Sequence, residues 1–407
     1  MIVDLPGTSV AAVASKLRDL RDAAGAMALS RVLTLVVVVD DARADEALTV
    51  AARATHQHPS RIVAIAAGTR RGANRIDAQL RLGGDAGASE IIVLRLYGEL
   101  VDHAESVVMP LLLPDSPIVA WWPYDAPEDP GADPIGALAQ RRITDAEHAA
   151  DAATAIATRA KVYRPGDTDL VWTRTTRWRG LLAAALDQPP FEPVRRVTVC
   201  GGLDSGSTDL LAAWLGHRLG CPVVRGRAPA GAGLLSVRLE RESGPIDLVR
   251  PDGLVAILSH PGQPIRRLAL ARRSDEECLS DELARLDPDD VYDETLRHGL
   301  PLLRGKALKT VTEAVAAGLA PELDEARRIA AEIAKAAGGQ GSAAMVERPA
   351  PTQQASDEDV RRRGAAQRDQ VQAERTESTK KPPRSVGGGT AKPTPTPRGK
   401  GAGSGRG

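Results

Sequence analysis

The stretch RVLTLVVVVDDARADEALTVAARATHQHPSRIVAIAAG at residues 31–68 decides the fold of this chain. Residues 31–41 carry apolar side chains toward both faces of a strand, which predicts a strand buried inside a sheet. Residues 44–57 have a helical pattern, and residues 61–68 repeat the apolar pattern of a buried strand. Strand, helix and strand in this order predict a right-handed crossover between two parallel strands.

The flanking segments extend this unit into an α/β domain that we predict to span residues 1–190. Val10, Val13, Leu17 and Leu20 have helical spacing, and Ser9 is placed to cap that helix. Residues 125–134 are rich in Pro, Asp and Gly and are therefore predicted to form a loop. Three further strands are predicted at 75–83, 89–98 and 116–123, and the last of them is expected to close the sheet. The predicted helices span 9–22, 145–160 and a segment from Thr168 or Asp169 to 187. Another helix is predicted to begin at a capping box formed by Asp102 and Glu105.

A second α/β domain is predicted at residues 191–305, after the boundary marked by Pro189-Pro190. Its predicted elements are strands at 195–202 and 221–226 joined by a helix at 208–219, an antiparallel meander at 234–242, 245–251 and 254–260, a further strand at 265–273, and helices at 275–286 and 289–298. The fold class is thus α/β, with two tandem units of mixed sheets and covering helices. Both units share the order strand, helix, strand and hairpin.

The remainder of the chain is predicted to be a helical extension followed by a disordered tail. Residues 306–337 are an Ala-rich helical pair that is broken near Gly318 to Pro321. Residues 338–407 contain mainly Gly, Pro, Ser, Thr and charged side chains, which bury too little apolar surface to offset the entropy of ordering. The last 30 residues carry seven Lys and Arg and no acidic residue.

Composition argues against membrane insertion, secretion and a global attraction to nucleic acid. Lys plus Arg and Asp plus Glu are equal at 53 each, so the chain has no net field that would attract a polyanion. The longest strongly apolar run, Val32 to Val39, is far shorter than the roughly 20 residues that span a bilayer. Charged residues interrupt the N-terminus before any apolar signal core can form. Three cysteines, at low density, are typical of a reducing compartment, so we expect a cytoplasmic protein.

The sequence GGLDSGSTDLL at residues 201–211 is the best candidate for binding a small molecule. This Gly-rich loop lies between a predicted strand and helix, where free backbone amides could hold an anion. It has no lysine and does not fit the dinucleotide fingerprint, so capping of the helix by a hydroxyl explains the same residues. The residues concerned in either interpretation are Gly201, Gly202, Ser205, Ser207 and Thr208.

Other chemistry has less support from the sequence. The seven His are scattered, and no metal site is predicted. Cys200 and Cys221 would lie at opposite edges of the sheet if their strands are parallel, and we expect core thiols that do not pair. Asp167 and Asp169 could act as acid and base, but helix capping explains them more simply. The basic tail has no aromatic residues for stacking on bases, so no specific nucleic-acid binding is expected.

The centre of the chain is rich in tryptophan and arginine. Four of the five Trp lie between Trp121 and Trp178 in a chain with only one Phe. Adjacent rings on a strand point to opposite faces, and Trp172 and Trp178 would be roughly 120° apart on one helix. Trp and Arg are enriched at the anchors of protein interfaces, so we expect at least one of these rings to be exposed. The alternative, in which Trp fills the core of a Phe-poor protein, stays open for each single ring.

Six motifs stand out along the chain. They are LPGTS near residue 5, MPLLLPDSPIVAWWP (109–123), RRITDA (141–146), YRPGDTDLVWTRTTRWRGLLAAALD (163–187), IDLVRPDG (246–253) and RLDPDDVY (285–292). In this order and spacing they resemble the motifs of the glucose-6-phosphate dehydrogenase assembly protein (OpcA) family of actinobacteria and cyanobacteria. The similarity extends to about residue 300 and leaves out the tail.

The resemblance implies a non-catalytic protein that promotes assembly or activation of glucose-6-phosphate dehydrogenase by direct contact, without a cofactor. The residues that we expect to build the contact surface are Trp121, Trp122, Tyr124, Arg141, Arg142, Asp167, Thr168, Asp169, Trp172, Arg174, Trp178 and Arg179. Two alternatives stay open. One is a sugar-phosphate-binding module or enzyme that uses the Gly201–Thr208 loop, and the other is a nucleic-acid-associated factor that acts through the tail.

Overall fold

A computed structural model describes residues 1–23, 32–56, 58–82, 90–304, 309–324 and 328. The first half of the chain forms an eight-stranded sheet with covering helices. Its elements are β1 (Ile2–Thr8), α1 (Val10–Ala23), β2 (Leu33–Asp40), α2 (Ala44–Ala54), β3 (Ser60–Ala67), β4 (Arg75–Leu82), β5 (Glu90–Tyr97), α3 (Ala104–Val108), β6 (Ile118–Trp122), β7 (Arg141–Thr144), α4 (Ala152–Val162) and β8 (Asp167–Asp169).

The first sheet has the order β1-β4-β5-β3-β2-β6-β7-β8, and six of its strands, from β5 to β8, are parallel. The predicted crossover is confirmed, because β2 and β3 pair in parallel from Leu33 opposite Ser60 to Asp40 opposite Ala67. The β4–β5 hairpin is antiparallel and adds β1 to the same edge. Six parallel strands that extend in both directions from β2 and β6 form a doubly wound sheet.

Three strands of this sheet were missed from the sequence. We expected residues 116–123 to close the sheet, but β7 and β8 extend it, and β1 occupies the opposite edge. The strand β7 reads RRIT and β8 reads DTD, so neither shows an apolar pattern although both are buried. The expected Asp102–Glu105 capping box is also absent, because Asp102 pairs with Arg70 and the helix begins at Ala104.

The second half of the chain forms a seven-stranded sheet of order β14-β13-β12-β11-β9-β10-β15. Its parallel β9–β10 pair, its antiparallel meander and the short helices after it are confirmed. The elements of this half, with the two helices that precede it, are α5 (Leu170–Thr173), α6 (Thr176–Leu186), β9 (Arg196–Gly202), α7 (Gly206–Leu219), β10 (Val223–Ala228), β11 (Leu234–Glu240), β12 (Ile246–Val249), β13 (Val255–Ser259), β14 (Arg266–Ala269), α8 (Asp275–Ala284), α9 (Asp290–Glu294), β15 (Lys309–Thr310) and α10 (Val311–Ala316).

The two halves differ in where the hairpin joins the sheet. In the first sheet β5 pairs in parallel with β3, whereas in the second sheet β11 pairs antiparallel with β9. The same order of elements therefore leads to different pairing. The parallel register of β9 and β10 also keeps Cys200 and Cys221 apart, because Cys200 lies opposite Gly226.

The two halves exchange helices across residue 190. Helix α6 precedes this residue, yet its Trp178 and Leu182 pack in the core of the second sheet. Helix α8 follows it, yet its Leu279 and Leu283 pack with α2 in the core of the first sheet. Residue 190 thus separates the two sheets but not the two hydrophobic cores.

The segment at 309–324 is held to the second sheet by a buried polar contact. Ser236 on β11 donates a hydrogen bond of 2.9 Å to Glu322, and Arg238 lies 3.5 Å from the same carboxylate. Of the predicted helical pair, the structure shows α10 and, after the break near Gly318 to Pro321, the helical residues 322–324, while residues 305–308 and nearly all of 325–337 lie outside the described residues. The tail at 338–407, predicted to be disordered, also lies outside them. No helix in the described ranges is long and apolar enough to cross a bilayer.

We predict that Glu322 makes the stability of the protein decrease as the pH rises toward neutrality. Burial, together with the nearby Asp247 carboxylate, raises the pKa of Glu322 to about 7. The folded protein then binds more protons than the unfolded chain between about pH 4.5 and 7. The free energy of unfolding should therefore fall by roughly 1–3 kcal/mol across this range. Urea unfolding at a series of pH values measures this decrease.

The variant Glu322→Gln should flatten this pH profile because it keeps the Ser236 contact and removes the charge. The matched control is Glu313→Gln, since Glu313 lies in the same segment and is exposed. If the Glu322→Gln profile retained the full decrease, the buried carboxylate would not be its origin.

Candidate functional site

Only some of the residues that we singled out from the sequence, among them Tyr124, Asp169 and Arg174, lie at the carboxyl edge of the first sheet. Arg141, Arg142 and Asp167 lie at the amino ends of β7 and β8, and Trp178 packs in the core of the second sheet. In doubly wound sheets, ligands bind outside the carboxyl ends of the strands where the strand order reverses. Here that point lies between β2 and β6, which pair side by side. Asp40 ends β2, Tyr124 and Asp125 follow β6, and Asp145 follows β7.

The turn after β2 is acidic and lacks glycine. Asp41 and Arg43 form a short 3-10 turn, and Asp45 and Glu46 stand in the first turn of α2. The Arg43 guanidinium pairs with Asp40 at 2.6 Å and with Asp125, and it covers the Tyr124 ring at 4.3 Å. A dinucleotide would have to place its pyrophosphate against these carboxylates. This edge therefore does not fit a dinucleotide cofactor.

All four central tryptophans are buried, so the expectation of an exposed ring was wrong. Trp121, Trp122, Trp172 and Trp178 are each at most 3% exposed. Alternation along β6 does turn Trp121 and Trp122 to opposite faces, but helices cover both faces of this sheet. Truncating one of these rings should therefore cost about 3–5 kcal/mol of stability instead of removing a surface contact.

The polar residues on β7 and β8 are also buried and paired within the chain. Arg141 binds Glu282 of α8, and Arg142 binds Asp167 together with the carbonyl oxygens of Ala139 and Pro165. Such pairs explain how the short polar strands β7 and β8 can lie inside the protein. Thr168, only 2% exposed, lies on β8 between the two aspartates.

Asp169 organises the start of α5. Its carboxylate accepts hydrogen bonds from the Val171 amide at 3.1 Å, the Ala146 amide at 3.0 Å and the Thr144 hydroxyl at 2.6 Å, and it pairs with Arg159 at 3.1 Å. The helix-capping interpretation of this residue is confirmed, because it is the N-cap of α5. Because its carboxylate has this many fixed partners, Asp169 stabilises the local structure at the start of α5.

Two residues of the predicted contact surface remain half-buried, namely Tyr124 and Arg179. The Arg179 guanidinium lies 3.7 Å from the centre of the Trp172 ring. The Trp172 indole in turn donates a hydrogen bond of 2.8 Å to Asp289. Burial lowers the pKa of Arg179 to about 10, which leaves it charged at neutral pH.

The most connected charge at this edge is Arg174. Its guanidinium forms two hydrogen bonds with Asp145, at 2.9 and 2.7 Å, and reaches Asp275 at 2.6 Å and Glu147 at 3.1 Å. His148 adds a contact of 3.3 Å to Asp275. We name this set the Arg174 junction; its residues are Asp145, Glu147, His148, Arg174 and Asp275.

The pKa values of His148 and Asp275 in the Arg174 junction depend on the neighbouring charges. The hydrogen bond to Asp275 raises the pKa of His148, although burial opposes this. Burial acts to raise the pKa of Asp275, but His148 and Arg174 together hold that pKa far below its usual range. The junction connects the end of β7, helix α5 and the start of α8. It thereby attaches α8, which follows the second sheet in the chain, to the first sheet.

Oxygen and nitrogen atoms of Asp145, His148 and Asp275 lie within 4.8 Å of one another, a spacing that would suit a metal ion. The Arg174 guanidinium already binds both of these carboxylates. A cation would have to displace it from a buried position. The geometry therefore favours an internal ion-pair network over a metal site.

The Gly201–Thr208 loop has the predicted position but not the predicted capping. Ser205 is the N-cap residue of α7, yet its side chain makes no capping hydrogen bond, and Ser207 donates instead to the carbonyl of Val171 at 2.8 Å. Gly201 packs so closely that a Cβ atom there would lie 2.1 Å from the hydroxyl of Thr208. Gly202 completes β9. The loop borders a cleft that is rich in arginine.

Several residues of this site were missed in the sequence analysis. Asp145 and Asp275 both bind Arg174 although 130 positions separate them in the chain. Arg272 binds Glu147 and closes the same network. Sequence spacing holds no signal for such pairs, because only the exchange of helices brings them together. The position of Asp145 directly after β7 gave no signal either, because that strand was itself missed.

Comparison with known families gives matches to two adjacent domains of one family, both described as parts of a glucose-6-phosphate dehydrogenase subunit. Residues 51–161 match its N-terminal domain, and residues 165–296 match its C-terminal domain. Together these matches cover more than half of the chain. The chain belongs to the OpcA family. The two family domains meet just before β8, so the strands of the first sheet are shared between them.

Solved structures give only distant likenesses to this OpcA-family chain. KijD10, a 3-ketoreductase from Actinomadura kijaniata, is 10% identical over 68% of this chain and 99% of its own, with a TM-score of 0.39. An oxidoreductase from Sinorhizobium meliloti is 12% identical over 67% of this chain and 95% of its own, with a TM-score of 0.38. Likenesses at this level carry no argument about function. No curated protein matches the chain.

We predict that the Arg174 junction is a main source of stability. Arg174→Met should lower the free energy of unfolding by about 3–5 kcal/mol, because it leaves the buried Asp145 carboxylate without its partner. Adding Asp145→Asn to this variant should restore part of the loss. The control Arg177→Ala removes an exposed arginine three positions away and should change stability by less than about 0.5 kcal/mol. Urea unfolding measures all three; equal effects of the two single variants would contradict the assignment.

Proposed function

We propose that this chain is a non-catalytic assembly or activation factor of glucose-6-phosphate dehydrogenase and that it acts in the cytoplasm by direct protein contact. The observation that carries the proposal is the match to both domains of the family, which together span residues 51–296 with a short gap. Such a factor would act in the oxidative pentose phosphate pathway. It would stabilise whichever state of the dehydrogenase it binds more tightly.

The carboxyl edge of the first sheet supports a role without catalysis. This is where a doubly wound enzyme would hold its cofactor and reacting groups. Here Arg43 and Tyr124 cover the acidic turn after β2, and the Arg174 junction neutralises the carboxylates that follow β7. In the part of the chain that the structure describes, the titratable groups of this edge pair with one another, and none of them forms a pair of nucleophile and general base.

Because the indoles are buried, we propose that the contact is made by exposed residues of the same segment, on helix α6 and directly after it. Helix α6 buries Trp178 and Leu182 and turns Gly180, Ala183 and Ala184 outward. Phe191, the single Phe of the chain, follows this helix and is 77% exposed. A large exposed aromatic side chain is suited to insert into a partner. Arg179, which lies on α6, would be at the rim of such a contact, and the buried residues would support it from below.

We expect the variant Phe191→Ala with Ala184→Glu to lose binding to the dehydrogenase. The first change removes the apolar anchor, and the second places a charge on the outer face of α6 where a partner would have to desolvate it. Size-exclusion chromatography of the dehydrogenase with each variant, with activity measured across the fractions, gives the readout. The wild-type chain should co-elute and change the dehydrogenase profile or activity, and the variant should not.

The matched control combines Leu254→Ala, which removes an apolar side chain that is 62% exposed, with Ala11→Glu on the exposed face of α1. This control should bind like the wild type. Equal binding by both double variants would place the contact elsewhere. A wild-type chain that neither co-eluted nor altered the activity would overturn the proposed function.

A further inference from the structure

A cleft rich in arginine lies between the end of α5, helix α6 and the start of α7. The space in it that water-sized spheres can occupy is about 20 Å³, and it is partly open to solvent. Ser205 and Ser207 of the α7 N-terminus form one wall, and Gly233 and Leu234 at the start of β11 form another. Five guanidinium groups and a single carboxylate line it; they belong to Arg174, Arg177, Arg250, Arg272, Arg273 and Glu147.

Arg250 is the unusual member of this set. It is 4% exposed, and its guanidinium donates hydrogen bonds only to carbonyl oxygens, those of Leu270 at 3.0 Å and Leu234 at 2.9 Å. Its Nε atom is buried without a hydrogen-bond partner, as are the Nε atoms of Arg174 and Arg273. Within the described ranges, no carboxylate lies at ion-pair distance from it. A buried cation without a counter-charge is unfavourable, so an anion bound in the cleft would stabilise it.

The other charged residues of the cleft do not neutralise the positive charge of Arg250. Glu147 already binds Arg174 and Arg272, and Arg273 binds Asp281 at 2.7 Å. Arg177 has a half-exposed side chain, and its pair with Glu277 is long at 3.9 Å. Arg177 is therefore free to turn toward a ligand.

The backbone around Arg250 also favours an anion. The first turn of α7, a helix of 14 residues, has no side-chain cap, so the positive end of its dipole faces the wall that carries Ser205. Gly233 leaves a gap between two guanidinium groups, since a Cβ atom there would lie 3.7 Å from an Nη atom of both Arg250 and Arg272. The hydroxyls and guanidinium groups thus converge on one small volume.

We propose that this cleft binds the phosphate group of a small phosphorylated molecule. A phosphate carries up to two negative charges and several acceptor oxygens, and guanidinium groups bind it with paired, charge-assisted hydrogen bonds. Because the enclosed space is small and the cleft is partly open to solvent, the phosphate would bind at the open side and the rest of the molecule would lie outside the cleft. Arg250 and Arg177 supply the counter-charge, and Ser205 and Ser207 line the opposite wall. This site goes beyond the proposed contact with the dehydrogenase, which does not depend on it.

The test is isothermal titration calorimetry of the full chain with inorganic phosphate and with glucose 6-phosphate, at a constant ionic strength set by chloride. Both ligands should give saturable binding at one site, and each should displace the other. Arg177→Ala should weaken both affinities about tenfold, since it removes one charge-assisted hydrogen bond. Arg250→Met keeps the length of the side chain and should abolish binding. Thermal unfolding with and without phosphate reports the same site by a shift in Tm.

The control is Arg195→Ala, which removes an arginine whose side chain is 63% exposed and which does not line the cleft. Its affinities should equal those of the wild type. Should Arg250→Met fail to fold, Arg177→Ala still decides the question. The absence of saturable binding of either ligand, or equal affinity in the wild type and both cleft variants, would overturn the proposal. Neither result would bear on co-elution with the dehydrogenase in buffer without phosphate.

Discussion

The structure depends on one buried guanidinium. Arg174 lies where β7, α5 and α8 meet, and its bonds to Asp145 and Asp275 hold the end of β7 to the start of α8, a helix that follows the second sheet in the chain. Burying a charge is costly unless its partners are fixed, so this contact tolerates few alternative arrangements of the two halves. The exchange of α6 and α8 between the cores adds apolar packing to the same connection.

The four central tryptophans contribute to the hydrophobic cores of this structure. In a chain with one Phe and many Ala, Leu and Val residues, Trp121, Trp172 and Trp178 fill large volumes where elements of both halves meet. Trp122 fills a core that is built from the first half alone. Trp121 and Trp122 cover opposite faces of β6, and Trp178 carries α6 into the second core. The Trp- and Arg-rich centre thus resembles an interface because it is one, between the two halves of the same chain.

The sequence predicted what depends on local pattern. Residues 31–68 gave the parallel crossover, and the second meander followed from alternation and turns. The strands β7 and β8 could not be found in this way, because ion pairs such as that of Arg142 with Asp167 bury their polar side chains. The site was predicted less well, since the burial of Trp172 depends on the start of α9 and the partners of Arg174 depend on α8, both about a hundred residues further along the chain.

The central claim is that the junction is a rigid interior scaffold and that contact with the dehydrogenase is made by the outer surface. Hydrogen–deuterium exchange of this chain, alone and with an excess of glucose-6-phosphate dehydrogenase, tests it most directly. The account predicts that amides at 170–175 are strongly protected in the free protein and do not change, while new protection appears in the segment from α6 to Phe191. New protection or opening at 170–175, without a change on that outer segment, would contradict it.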